Sequence, residues 1–270
     1  MASQLTEPKR QAQVVSVASV LEREDVRVRS RDGLNLAAWF MAAPGSARAQ
    51  LLVHGRNSCR SCEFDGRFVE LAGQLQSAGY NILMIDLRGH GQSEGTHLTF
   101  GEEERWDVLG ALDWLHARGF TQVGVLGVSL GALSTVRAAL EPDGARGIHA
   151  MVLDSCFGDF DSVLQHGFTH ETGYPEWILP GGLLMTRLLY GVNLEAAKPI
   201  DELPKTTAPL MLIFSRQDQY ITPEQMQLMR AARADAQLWI VPDGEHARIY
   251  NNHPQEYAAR VVRFLDERMR

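Results

Sequence analysis

Val26 and Val28 alternate with charged residues up to Arg31-Asp32-Gly33, and Leu34, Leu36 and Ala38 alternate after it, which predicts an antiparallel hairpin. From there the period changes. LLVHG (51–55) reads as a buried strand, and Phe64, Phe68, Leu71, Ala72 and Leu75 recur at helical spacing until Gly79 ends them. NILMID (81–86) is a second apolar run, followed by a helical stripe of Val108, Leu109, Leu112 and Leu115. VGVLGV (123–128) leads directly into Leu133, Val136 and Leu140 at helical spacing, and HAMVLD (149–154), PLMLIFS (209–215) and LWIV (238–241) complete the strands. Thr222-Pro223-Glu224-Gln225 has the N-cap threonine and first-turn proline of a helix start, and Tyr257, Val261, Phe264 and Leu265 stripe a last helix. Strands alternating with helices predict an α/β domain with a mostly parallel sheet covered on both faces.

One segment breaks the alternation. Residues 156–205 hold no strand pattern, yet they carry many aromatic and leucine residues, too apolar for a structureless loop. We read them as a short helical cap over the carboxyl ends of the strands, with Phe157, Phe160 and Trp177 as candidates to line a substrate pocket. Residues 1–24 read as an N-terminal extension and 25–270 as a single domain holding the cap.

Composition narrows the partners. A net charge of −7 gives no footprint for nucleic acid or an anionic membrane, so the expected partner is a small molecule. No run of about 18 apolar residues occurs, so no membrane insertion is expected, and no long exposed apolar stretch is expected either. VVSVASVL lacks the A-x-A cleavage site of a signal peptide, and with three cysteines the chain fits a reducing cytoplasm. Cys59 and Cys62 form a C-x-x-C without a second pair or a suitably spaced histidine, and read as small packing residues; neither a metal nor an organic cofactor is expected.

The chemistry gathers around GVSLG (127–131). Ser129 falls where a strand turns directly into a helix, a turn tight enough that side chains two residues to either side would collide. Serine is a poor nucleophile at neutral pH. It needs a base with a pKa near 7, and the base needs a carboxylate to fix its tautomer. Reactive groups of a parallel sheet gather beyond the carboxyl ends of its strands. Asp218 follows PLMLIFS and His246 follows LWIV, and we prefer Asp218 over Asp154 because its strand directly precedes the one leading to His246. Asp243 lies too close to His246 in the same loop. Two oxyanion donors are needed, and the backbone N–H groups of Leu130 and Arg56 are the candidates.

The chain resembles the α/β-hydrolase superfamily through VRSRDGLNLAAWF, LLVHGRNS, DLRGHGQSEG, GVSLG, SRQDQYITP and GEHA. It is similar to small esterases and to serine aminopeptidase-like (dipeptidyl-aminopeptidase-like) hydrolases. The resemblance implies a catalytic triad of Ser129, Asp218 and His246, oxyanion donors at Arg56 and Leu130, and a structural RGHGQSEG loop in which His90 is not catalytic. The expected activity is hydrolysis of carboxylic esters through an acyl-enzyme. Thioester or amide cleavage uses the same machinery, and a non-catalytic binding protein is the reading from another class. A modest cap predicts acyl chains up to about eight carbons, gaining about 0.8 kcal/mol per buried methylene until the pocket ends.

Overall fold

The residues flanking Arg31-Asp32-Gly33 form the expected hairpin. Strands β1 (Glu24–Arg29) and β2 (Asn35–Met41) pair antiparallel, with Val28 opposite Leu36. The computed structural model describes residues 6–12, 22–160, 163 and 173–269. Among these, β3 (Arg48–Val53), β4 (Asn81–Ile85), β5 (Gln122–Val128), β6 (Ala150–Asp154), β7 (Leu210–Ser215) and β8 (Gln237–Val241) extend the sheet in parallel, and β2 joins it antiparallel to β4. The order is β1-β2-β4-β3-β5-β6-β7-β8.

Register decides where the loops emerge. Val53 lies opposite Gly127, Gly127 opposite Leu153, Asp154 opposite Ile213, and Ser215 opposite Val241. The loops after β3, β5, β6, β7 and β8 therefore leave the sheet along one edge. The chain also reverses its direction of travel there, since β4 lies on one side of β3 and β5 on the other; such a switch point opens a crevice.

Alternation along the strands divides the apolar side chains between two cores. Leu51, Val53, Val125 and Leu153 belong to one, with Val108, Leu112, Leu133 and Val136 from α2 (Glu104–Ala117) and α3 (Leu130–Leu140). Leu52, Leu126 and Val152 belong to the other, with Phe68, Leu71 and Leu75 of α1 (Phe68–Ser77) and Val261 and Phe264 of the last long helix (Pro254–Arg268). Each such buried side chain favours the fold by about 1.5–3 kcal/mol. The stripe beginning at Phe64 starts its helix later than its spacing predicts. Phe64 and Asp65 have φ of 55° and 56°, which a right-handed helix cannot continue through, so Phe64 anchors separately by stacking on Tyr250 at 5.3 Å.

The expected extension and cap lie partly outside the described residues, at 1–5 and 13–21 and at 161, 162 and 164–172. Within the rest, α4 (Leu179–Tyr190) turns the small Gly182 and Thr186 inward, and with them Leu179, Leu183 and Tyr190 pack partly against the first core. Its opposite face is open, which corrects the expectation of no exposed apolar stretch. On that face Leu184 is 57% exposed, Leu188 69% and Leu189 62%, and Trp177, in the turn just before the helix, is 81% exposed. Phe157 and Phe160 are buried in the first core, Phe160 with its ring 4.2 Å from that of Phe100. Among the described residues no helix is long and apolar enough to cross a membrane.

Candidate active site

Between β5 and α3 the backbone of Ser129 takes φ 51° and ψ −109°, a conformation an L-residue adopts only under strain. The two glycines make it possible. A Cβ at Gly127 would lie 2.4 Å from the Gly131 carbonyl oxygen, and one at Gly131 would lie 2.3 Å from that of Val53. The Ser129 N–H donates to the Asp154 carbonyl at 2.9 Å, and Leu130 opens the helix, so its N–H has no partner within it.

The loops after β7 and β8 bring Asp218 and His246 to this serine. His246 Nε2 is 2.8 Å from Ser129 Oγ, and His246 Nδ1 is 2.8 Å from Asp218 Oδ2. The other Asp218 oxygen accepts the N–H groups of Tyr220 at 2.8 Å and Ile221 at 3.0 Å, which fixes the carboxylate in a fully buried position. A carboxylate oxygen accepts, so His246 carries its ring proton on Nδ1 and donates it to Asp218, leaving Nε2 to accept from the serine hydroxyl. Tyr220, which sequence reasoning passed over, holds its ring edge-on to the imidazole at 5.0 Å. Asp154 does not reach His246. Its oxygens accept from Ser155 Oγ at 2.8 Å and Tyr257 Oη at 2.9 Å. Asp243 instead faces His253 at 2.7 Å.

Burial opposes the His246 imidazolium, but the charge and hydrogen bond of Asp218, with Asp154 and Glu63 behind them, outweigh it and raise its pKa above the ordinary histidine value. An unperturbed histidine would ionise at about pH 6.5. A raised pKa keeps the imidazole protonated, and unable to accept a proton, to higher pH. We expect kcat/KM for a soluble ester to rise with pH through a pKa above about 6.5. A profile already flat below that value would mean that Nε2 is not the group that must be neutral.

The loop after β3 is tied from several sides. His54 Nε2 accepts the Leu87 N–H at 3.0 Å and His90 Nε2 accepts the Asn57 N–H at 3.2 Å. Each ring therefore carries its proton on Nδ1, where His54 donates to the Gly55 carbonyl and His90 to that of Arg88. Burial holds both neutral, pushing His54 down to about 4 and His90 to about 3. Glu63, also unforeseen, accepts the Gly55 N–H at 2.5 Å from beneath. Burial pushes its carboxyl up, against hydrogen bonds from Gly55 and Ser58. Arg56 lies between these ties, its guanidinium carbon 5.8 Å from the centre of the Phe100 ring. A Cβ on Gly55 would come within 3.4 Å of Ser129 Cβ, so the loop rests against the serine.

The CRSC stretch needs a correction. Cys59 and Cys62 are joined in a disulfide, because the turn closed by the Cys62 N–H on the Cys59 carbonyl brings their Cα atoms to 4.8 Å; Cys156 is buried and free. Between them Arg60 is buried, paired with Asp86, and stacked 4.6 Å from the Trp39 ring centre. Among the described residues no group of three or more His, Cys, Asp and Glu side chains could hold a metal ion.

The chain as a whole is similar to several known proteins. YqkD of Bacillus subtilis, described as uncharacterized, is 27% identical over 257 residues, covering 91% of this chain and 80% of its own. The esterase Pf2001 of Pyrococcus furiosus superposes with a TM-score of 0.79 at 26% identity, over 98% of this chain and all of that one. Est1E of Butyrivibrio proteoclasticus, solved with ferulic acid bound, shares the fold with a TM-score of 0.70 at 20% identity, over 90% of this chain and 98% of its own. The likeness to the esterase Pf2001 supports a hydrolytic enzyme. The model of the "Alpha/beta hydrolase family" matches residues 50–260, well over half of the sequence, and the chain belongs to that family.

Proposed function

We propose that the protein is a serine hydrolase that cleaves carboxylic esters of short to medium acyl chain, with Ser129, His246 and Asp218 as its catalytic residues. The observation that carries this reading is the unbroken series of 2.8 Å contacts from Asp218 through His246 to a strained, glycine-flanked serine. Ser129 Oγ attacks the ester carbonyl carbon while its proton passes to His246 Nε2. Asp218 stabilises the imidazolium, and the carbonyl oxygen takes up negative charge opposite the N–H groups of Leu130 and Arg56. Collapse of the adduct breaks the bond to the alkoxy group, which leaves with the proton from Nε2. Water then attacks the acyl-enzyme with its proton going to Nε2, and the serine recovers that proton as the acid departs.

Residues 156–205 act in this reading as a cap over the strand ends, and the likeness to Pf2001, an esterase, favours esters over amides. The test is kcat/KM for p-nitrophenyl esters of two to sixteen carbons beside matched thioesters and aminoacyl amides, below and above the solubility limit. We expect esters to lead, with an optimum at or below about eight carbons, where added methylenes stop finding buried surface. A maximum among thioesters or amides would replace the substrate class. The open face of α4 makes the emulsion arm decisive: a jump in rate when droplets form would make the cap a lipid-responsive lid.

A further inference from the structure

Residues 6–12 lie across the loops that follow β3 and β4. Thr6 is buried and its carbonyl accepts the Leu98 N–H at 2.8 Å. Pro8 packs so closely on Gly89 that a Cβ there would lie 2.7 Å from its ring. The Lys9 N–H donates to Asn57 Oδ1 at 2.8 Å. Arg10 donates through Nη1 to the carbonyls of Gly91 at 3.0 Å and Ser93 at 2.8 Å, and through Nη2 to that of Gly95 at 2.7 Å. The Ala12 carbonyl oxygen lies 3.4 Å from the Cys62 sulfur.

We propose that this segment is a strap that holds the oxyanion loop in its reactive position, and that Arg10 is the positioning residue that fastens it. The proposal rests on the serine hydrolase reading. Asn57 immediately follows Arg56, the expected oxyanion donor, and is itself held at a φ of 55°, uncommon for a side-chain-bearing residue. Two contacts keep it there: its own N–H sits on His90, and its side chain is gripped by the strap. With Gly55 tied to Glu63 and His54 on the other side, the Arg56 peptide is fixed at both ends. The strap in turn needs a fastener. Positive φ at Gly91 and Gly95 belongs to a loop whose carbonyls converge on one point, and the planar fork of Arg10 is matched to several acceptors at once in a way that a lysine is not.

The unaltered protein is compared with Arg10→Ala, Asn57→Ala, the double variant and a chain lacking residues 2–12. The readouts are kcat and KM for a soluble short-chain aryl ester, the ratio of rates on that ester and its thiono analogue, and thermal stability. A donor that acts on the developing oxyanion affects kcat, so we expect Arg10→Ala to lower kcat about tenfold with KM nearly unchanged. Sulfur accepts hydrogen bonds poorly, so the preference for the oxygen ester should shrink by a similar factor. Asn57→Ala should match Arg10→Ala, the double variant should be no worse than the poorer single one, and deletion of 2–12 should reproduce it. Unchanged kcat in Arg10→Ala, an unchanged oxygen-to-sulfur ratio, or fully multiplying effects would overturn the strap. Absence of any ester turnover in the unaltered protein would instead overturn the serine hydrolase reading beneath it.

Discussion

Ser129→Ala is expected to lower ester turnover by about four to six orders of magnitude and to abolish labelling by a fluorophosphonate, while the protein stays folded. The size follows from the way the three residues act together. Without Oγ there is no covalent path, and what remains is the contribution of the oxyanion donors and binding. Folding should survive because alanine keeps the Cβ and the backbone strain at φ 51° and loses only one hydrogen bond, worth about 1 kcal/mol. Ser129→Gly would be equally inactive but should be more stable than Ser129→Ala, since glycine adopts that φ without strain. Intact-mass analysis after labelling, with thermal unfolding of all three proteins, measures both. A label on another residue, or turnover that survives the loss of Oγ, would remove the serine from the mechanism.

Asp218→Asn should be the next most damaging, lowering kcat by about 10⁴. An amide at this position can still accept the Tyr220 and Ile221 N–H groups, so the loop should hold. Turned that way, however, it presents an N–H to His246 Nδ1, which favours the tautomer with its proton on Nε2, and that nitrogen can no longer take the serine's proton. Asp154→Asn is the control. Its carboxyl is pushed up to about 7 by burial and bonds Tyr257 and Ser155, whose hydroxyl accepts the Ala247 N–H, so it has no direct hydrogen bond to His246 and acts on it through charge. Removing that charge should lower the His246 pKa and move the pH profile to the left with most of kcat retained. If Asp154→Asn proved the worse of the two, the supporting acid would be Asp154.

The strands and the long helices could be read from the chain because each repeats a local rule. Leu51 and Val53 face one core and Leu52 the other, and the stripe of α3 recurs every three to four residues. GVSLG is legible for the same reason: the clash that excludes a Cβ at Gly127 comes from Gly131, four residues on. Asp218 and His246 follow strand ends, so topology alone places them on one edge. What stayed hidden depends on partners far along the chain. Glu63 looks like any surface glutamate until Gly55 is folded over it, and Arg60 finds Asp86 across 26 residues. Arg10 reaches the Gly91 carbonyl across 81, and no local pattern marks a backbone acceptor so distant. On α4 Gly182 and Thr186 are the fully buried positions while Leu184, Leu188 and Leu189 stay exposed, a departure from the usual amphipathic rule.

The contact between Ser129 and His246 spans 117 positions, and Tyr257 of the terminal helix secures Asp154 across 103. A nascent chain emerging from the ribosome thus carries its serine on a turn that can be built early, from β3, β5 and α3, long before an imidazole exists to activate it. Contacts this remote in sequence make folding slow and late-closing. Under the proposed mechanism the partly made protein would be inert toward esters, and the first turnover by any one molecule would report that β8 had taken its place at the sheet's edge.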